Sequence, residues 1–253
     1  MTSIIYGRNP VLEALRAGEP LEEIRVAQGA KTRGQLGEIA RLARDTGVHL
    51  TWVPRSALDR MMAEAGPAAP GGGGNHQGVL ALASDFAYHD VAEILAAAIR
   101  AGEPPLVLVL DQIQDVHNLG SLIRSAEAAG AHGVIIPERK AAGVTPAVRK
   151  ASAGAVAHLP VARLDLVDAL DQLREQGVRV AGLDEDGSVD YTGADLRGPL
   201  ALVVGGEARG LTKAVARRCD ALLRLPMRGR VESLNAAVAG SIVLYEALRQ
   251  RVS

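Results

Sequence analysis

From Leu106 onward the chain repeats one pattern, a short unbroken apolar run followed by a stretch with helical spacing. The runs at 106–110, 133–136, 157–161, 178–182, 200–204 and 221–225 read as strands, and 119–129, 145–153, 165–176, 211–217 and 234–250 read as helices. An apolar run without polar alternation predicts a strand buried on both faces. Strict alternation of such strands with helices predicts a parallel sheet covered on both sides. That confines this part of the chain to the α/β class. A smaller α/β module is expected in front of it. Its strands are Ile4 to Tyr6, Ile24 to Ala27 and His49 to Trp52, and Gly78 to Ala83 returns to them. Its helices are Asn9 to Ala17, Thr32 to Asp45 and Arg55 to Ala65. The stretch 66–74, GPAAPGGGG, has no packing side chains to offer and reads as a flexible break. Asp90 to Ala101 reads as a helix joining the two parts. The expected organisation is a front domain at 1–84, a connection at 85–104 and a second domain at 105–253.

Composition narrows the function classes. Formal net charge is −1, so bulk charge announces no nucleic-acid partner, although Arg139-Lys140, Arg149-Lys150, Arg217-Arg218 and the trio Arg224, Arg228 and Arg230 cluster late in the chain. Aromatic content of 2% leaves packing to aliphatic residues and argues against RNA binding by stacked aromatic platforms such as those of RRM sheets. Cys219 is the single cysteine, which excludes an intrachain disulfide and a thiolate metal cluster. The six histidines show no H-x3-H or HExxH pairing, so no metal site is expected. No signal-like or membrane-length apolar segment is visible, and a cytoplasmic protein without a membrane partner is expected.

Three blocks carry polar residues where strands end. Asp111 to Gly130 (DQIQDVHNLGSLIRSAEAAG) places Asp115, His117 and Asn118 in a loop after a buried strand, with a helix from Leu119 and Arg124 near its first turns. A cation that complements a helix dipole belongs in the last turn instead. In Leu202 to Leu211 (LVVGGEARGL) a strand ends in Gly205-Gly206-Glu207, and glycines at a strand end let a ligand approach the backbone. In Leu222 to Leu248 a strand runs into Pro226-Met227, then a basic loop, then the helix start Glu232, Ser233 and Asn235. Ser and Asn there can accept from unpaired backbone N–H groups.

In that order and spacing, Asn118-x-Gly120-x3-Arg124, Gly205-Gly206-Glu207-x2-Gly210 and Pro226-Met227-x5-Ser233-Leu234-Asn235 resemble the three signature motifs of SpoU-type (TrmH-like) RNA ribose 2′-O-methyltransferases of the SPOUT class. Gly7 to Leu15 (GRNPVLEAL) and His76 to Val79 (HQGV) resemble the small, L30e-like substrate-binding domain of the bacterial 23S rRNA guanosine 2′-O-methyltransferase subgroup. The resemblance implies a deep trefoil knot over roughly 200–248, S-adenosylmethionine (AdoMet) as cofactor, 23S rRNA as substrate and a homodimer, with no DNA partner. It places Arg124 in the catalytic position, with Asn118, Glu207, Ser233 and Asn235 orienting it and the nucleotide. It puts Gly205, Leu225 and Leu234 against the cofactor, with Val203, Val204 and Met227 as further apolar lining.

Those residue types suit the chemistry. A ribose hydroxyl is a weak acid, and a permanently charged guanidinium is a poor base. Arg124 can instead fix a phosphate and stabilise a developing alkoxide by charge-assisted hydrogen bonds. Rival readings fit less well. The loop after Leu110 lacks the G-x-G of a Rossmann-type methyltransferase, and Leu211-Thr212 stands where a P-loop needs its lysine. A tRNA ribose is an alternative target. A catalytically silent ribosome-assembly protein is the non-enzyme alternative, which the complete polar set disfavours.

Overall fold

The computed structural model describes residues 2–64, 75–84, 86–206, 210–231 and 233–252. The glycine-rich break lies outside the described residues. The chain divides into two compact units, and the first takes Val144–His158 as well as Met1–Ala87, while the second takes Tyr88–Gly143 and Leu159–Ser253.

In the first unit β1 (Thr2–Tyr6), α1 (Arg8–Arg16), β2 (Leu21–Ala27), α2 (Gln35–Thr46), β3 (His49–Val53), α3 (Arg55–Glu64) and β4 (Val79–Ser84) follow in the expected order. The sheet runs β1-β4-β2-β3, with β4 antiparallel to β1 and β2, and with β2 and β3 parallel. Alternation along the strands builds two layers. Ile24, Val26, Val79 and Ala81 pack with Val11, Leu15, Leu36 and Ile39 of α1 and α2, whereas Ala27 and Leu80 pack with Leu58 of α3. Among the described residues β3 pairs only with β2 and forms an edge.

The second unit opens with α4 (Val91–Ala101), started by a reciprocal cap in which Asp90 accepts from Glu93 N and Glu93 accepts from Asp90 N. β5 (Leu106–Asp111), α5 (Val116–Ala128) and β6 (Gly133–Pro137) follow. α6 (Pro146–Ala151) belongs to the first unit. The chain then continues through β7 (Val161–Leu164), α7 (Leu166–Glu175), β8 (Arg179–Leu183), β9 (Val189–Asp190), β10 (Leu200–Gly205), α8 (Lys213–Ala216), β11 (Ala221–Arg224) and α9 (Ala236–Arg251). Seven strands in the order β7-β6-β5-β10-β8-β11-β9 form an all-parallel sheet. Val107, Val109, Ala201 and Val203 face one core with Leu170 and Leu173 of α7. On the other face α9 packs against α5 and β10, and it does so through Gly240: a Cβ there would lie 2.6 Å from Leu122 Cδ2 and 3.0 Å from Val204 Cγ2. Each large aliphatic side chain buried this way contributes about 1.5–3 kcal/mol.

Four boundaries differ from the sequence reading. α5 begins at Val116, because the Asp115 carboxylate accepts from His117 N and Asn118 N, both at 2.8 Å. His117 and Asn118 therefore sit in its first turn rather than in a loop, and Arg124 falls mid-helix. The strand expected at 157–161 starts at Val161, and Ala155–Ala157 is a 3₁₀ turn after Gly154, whose φ is +93°. α9 starts at Ala236, with Asn235 as its cap, so Ser233 and Leu234 precede it. β9, two residues long, was too short for any apolar run to announce.

Val144–His158 is built firmly into the first unit. Arg149, 3% exposed, pairs with Glu19 at 2.5 Å and lies 5.2 Å from the centre of the Phe86 ring. Lys150 lies 4.8 Å from the centre of the Tyr6 ring, and His158 reaches Glu13 at 2.8 Å.

Candidate active site

In an open parallel sheet, ligands bind beyond the carboxyl ends of the strands, near where the strand order reverses. Here β5 leads outward through β6 to β7, while β8, β10 and β11 lie on its other side. A pocket of about 450 Å³ opens at the ends of β10, β8 and β11. Its walls come from four segments: Leu183 to Asp186 after β8, Val204 to Gly206 with Gly210 after β10, Leu223, Leu225 and Met227 after β11, and Ser233, Leu234, Ala236 and Ala239 at the start of α9.

The glycines are required sterically. A Cβ on Gly205 would lie 2.2 Å from the Gly210 carbonyl carbon, and one on Gly206 would lie 2.7 Å from the Gln112 carbonyl oxygen. The turn doubles back on itself, with Gly210 N donating to Gly206 O at 2.9 Å. Asp111 braces it. This carboxylate is 2% exposed and accepts from Thr212 N at 2.6 Å, while the Asp111 carbonyl accepts from Gly206 N at 2.9 Å. The register Asp111↔Gly205 sets the first two motifs side by side. Gln112 takes φ +61°, a left-handed conformation rare for a side-chain-bearing residue, where its backbone presses on Gly206.

Of the expected cofactor residues, Gly205, Val204, Leu225, Met227 and Leu234 line this one pocket. Val203 does not. Strand alternation turns it to the opposite face, into the core with Val107 and Val109, at 0% exposure. Of the expected catalytic set, Ser233 lines the pocket. Asn235 caps α9, accepting from Ala237 N and Val238 N, and its Nδ2 donates to Asn118 Oδ1 at 3.1 Å, which ties the third motif to the first. Arg124 is exposed on α5, outside the pocket lining. Next to it, the Ser125 and Ser241 hydroxyls meet at 2.7 Å and pin α5 to α9. Glu207, Arg209 and Glu232 lie outside the described residues.

The chain matches the SpoU rRNA Methylase family over residues 105–245, and the RNA 2′-O ribose methyltransferase substrate-binding family over residues 4–89. The chain belongs to the SpoU rRNA methylase family. A Bacillus subtilis protein assigned to the TrmH family of tRNA/rRNA methyltransferases is 40% identical over 248 residues, 98% of this chain and 95% of that protein. Among solved structures, the SpoU methyltransferase AviRb of Streptomyces viridochromogenes, in complex with AdoMet, superposes with a TM-score of 0.80 at 28% identity, over 99% of this chain and 91% of AviRb. An AdoMet-bound rRNA methyltransferase of Sinorhizobium meliloti gives 0.79 at 28% identity, over 100% of this chain and 88% of that one.

Two features of this SpoU methylase went unread in its sequence. Asp111 is one, and its signal is a lone acid closing an otherwise apolar run. The acidic turn Asp184-Glu185-Asp186 is the other. Asp184 N donates to Leu223 O at 2.9 Å and Asp186 N to Asp184 Oδ1 at 3.0 Å, which folds these three acidic residues into the pocket lining. The thiol of Cys219 takes no part. Burial, above all, and the neighbouring Asp220 charge push it up to about 12, and it donates to Val215 O at 3.5 Å.

Proposed function

We propose that the protein transfers the methyl group of AdoMet to the ribose 2′-hydroxyl of a guanosine in 23S rRNA. The observation that carries this reading is the pocket at the ends of β8, β10 and β11, joined to the first motif by the Asn118–Asn235 hydrogen bond. The pocket fits AdoMet. Gly205 and Gly206 leave space that a side chain would fill, and Val204, Leu225 and Leu234 give apolar walls for an adenine. Asp184, Glu185 and Asp186 suit ribose hydroxyls and a cationic ligand. Bound AdoMet would supply an electrophilic methyl group. Arg124 grips an RNA phosphate and stabilises the oxygen as its proton leaves. Asn118, Ser233 and Asn235, with Glu207, hold the ribose and Arg124 in place.

A homodimer belongs to the same proposal. α9 leaves Val238 and Tyr245 48% and 50% exposed, and Arg124 lies outside the pocket lining of its own chain, so a second copy would complete the site. The trefoil knot over 200–248 is likewise carried over from the family resemblance, and the cytoplasmic location expected from the sequence suits an enzyme that acts on RNA. The 23S target rests on the match of the front unit to a substrate-binding family and on the likeness to an rRNA methyltransferase. A tRNA ribose is the second reading, favoured by a relative assigned to both substrates. Labelled AdoMet with in vitro transcribed 23S rRNA and with bulk tRNA, followed by mapping of ribose methylation, tests both. Label on one 23S guanosine is expected, and label on tRNA alone would move the enzyme to the second reading.

A further inference from the structure

The first unit carries a groove of about 680 Å³ between α2 and the edge strand β3. Ala43, Val48 and Leu50 give it apolar surface, and the exposed Arg44, His49 and Trp52 line it too. Trp52 is 41% exposed, unusual for so large an apolar side chain. It also stands apart from the unit's other rings. Tyr6 and Phe86 are already covered by Lys150 and Arg149, whereas among the described residues no cation or ring lies on Trp52 and its indole N–H has no partner.

The charge around the groove is one-sided. From Gln28 through Arg55 stand five Lys or Arg residues against only Glu38 and Asp45, in a chain of net charge −1. Both acids are already neutralised, Glu38 by Arg16 and Asp45 by Arg41, each at 2.8 Å. Among the described residues Arg44 forms no ion pair, and neither do Lys31 and Arg33, which flank the groove residue Thr32. An uncovered indole, free cations and a groove together are the elements of a single-stranded nucleic-acid site: a ring to stack a base and charges to meet phosphates. The scarcity of aromatics argues against an RRM-like stacked platform, but Trp52 still offers one stacking position.

We propose that the α2–β3 groove holds an unpaired segment of the substrate RNA, with one base stacked on Trp52 and neighbouring phosphates met by Arg44, Lys31 and Arg33. This rests on the reading of RNA as substrate and adds where the first unit holds it. An edge strand can also pair with a protein, but the unbalanced positive charge favours the polyanion.

Trp52 is the only tryptophan, so its emission reports this groove alone. The full chain would be titrated with in vitro transcribed 23S rRNA and, separately, with bulk tRNA. The substrate RNA is expected to quench Trp52 and shield it from acrylamide. In the transfer assay Trp52→Ala is expected to raise the KM for RNA about ten-fold or more, leaving kcat within about two-fold, and Trp52→Phe should recover part of the loss. Emission and acrylamide access unchanged at saturating RNA, or a wild-type KM for Trp52→Ala, would overturn the proposal. If neither RNA accepted a methyl group, the substrate reading would fail on its own, and the wild-type titration would still decide the groove.

Discussion

In the seven-stranded sheet β5 is buried from Leu106 to Asp111, with helices over both faces. In the four-stranded sheet β3 is half-buried or exposed along its whole length, from His49 to Val53. A doubly covered sheet leaves only the strand ends open to a ligand, and there its pocket sits. A sheet with a free edge offers a flank, and there its groove sits. The first arrangement suits a reaction, because strand ends are rigid and several converge on one point. The second suits holding a long polymer, because a flank is extended and open on one side.

The sharpest way to break this division is to remove chemistry from the strand-end site without touching the flank. Arg124→Ala is expected to lower kcat by about a hundred- to a thousand-fold while AdoMet still binds, since Arg124 lies outside the pocket lining. Arg124→Lys should restore only part, because an ammonium lacks the planar fork. Turnover near wild type at saturating RNA would remove Arg124 from the mechanism.

Gly205→Ala comes next. Its Cβ would lie 2.2 Å from the Gly210 carbonyl carbon, against backbone rather than a flexible side chain. Overpacking of that kind costs about 1–3 kcal/mol, so calorimetry should find AdoMet affinity reduced about ten-fold or more. The Trp52 response to RNA should survive. Its loss in Gly205→Ala would mean that the two sites are not separate.

Glu19→Ala tests the first unit. Removing one partner of a buried ion pair costs about 3–5 kcal/mol, and Arg149 would be left 3% exposed and uncompensated. Urea unfolding followed by Trp52 emission should show this as a lower midpoint. An unchanged midpoint would mean that Val144–His158 adds nothing to the unit that contains it. The same packing bears on truncation. A chain starting at Gly78 would keep Arg149, Val148 and Val156 but lose most of the unit that buries them, so it should be less stable than a clean domain cut.

How legible each region was follows from the same contrast. The parallel sheet could be read from apolar runs such as Leu106–Leu110 and Leu200–Val204, because burial on both faces leaves no other pattern. Its site was legible in part because the glycines and Asn235 are demanded by backbone geometry at fixed spacing. Val203 was misread because lining and core alternate residue by residue, and nothing in Leu202-Val203-Val204 says which side faces the pocket. Asp111 was passed over because its partner, Thr212 N, is a hundred residues away. The helical position of Asn118 and Arg124 depended on recognising Asp115 as a cap. The partition of Val144–His158 was not readable at all, because Glu19, Phe86 and Tyr6 are remote in sequence from the residues they hold. Trp52 gave no motif, since its meaning lies in what fails to cover it.

The smallest expected effect comes from the opposite end of the large sheet and serves as a control on the comparison. His132 lies before β6, 7% exposed, with Nδ1 accepting from Leu106 N at 3.0 Å, a bond that requires that nitrogen to be bare. Burial, above all, and the Arg251 charge hold its pKa below the ordinary 6.5, against the pull of Glu103, whose carboxylate is 3.6 Å away. The folded state therefore binds this proton less readily than the unfolded chain. Stability is fully present above pH 6.5 and declines as pH falls below that value toward the depressed folded pKa, because only the unfolded chain gains the proton there. Tm is thus expected to fall on acidification through this window, and His132→Asn, which keeps an acceptor for Leu106 N but cannot titrate, should flatten the decline. The site is at the other end of the strands, so AdoMet affinity at neutral pH should be the same in His132→Asn as in the native protein. Equal acid sensitivity of Tm in both proteins would assign the loss to other groups. A changed AdoMet affinity would show that the two ends of the sheet are coupled and that the strand-end pocket is less self-contained than its geometry indicates.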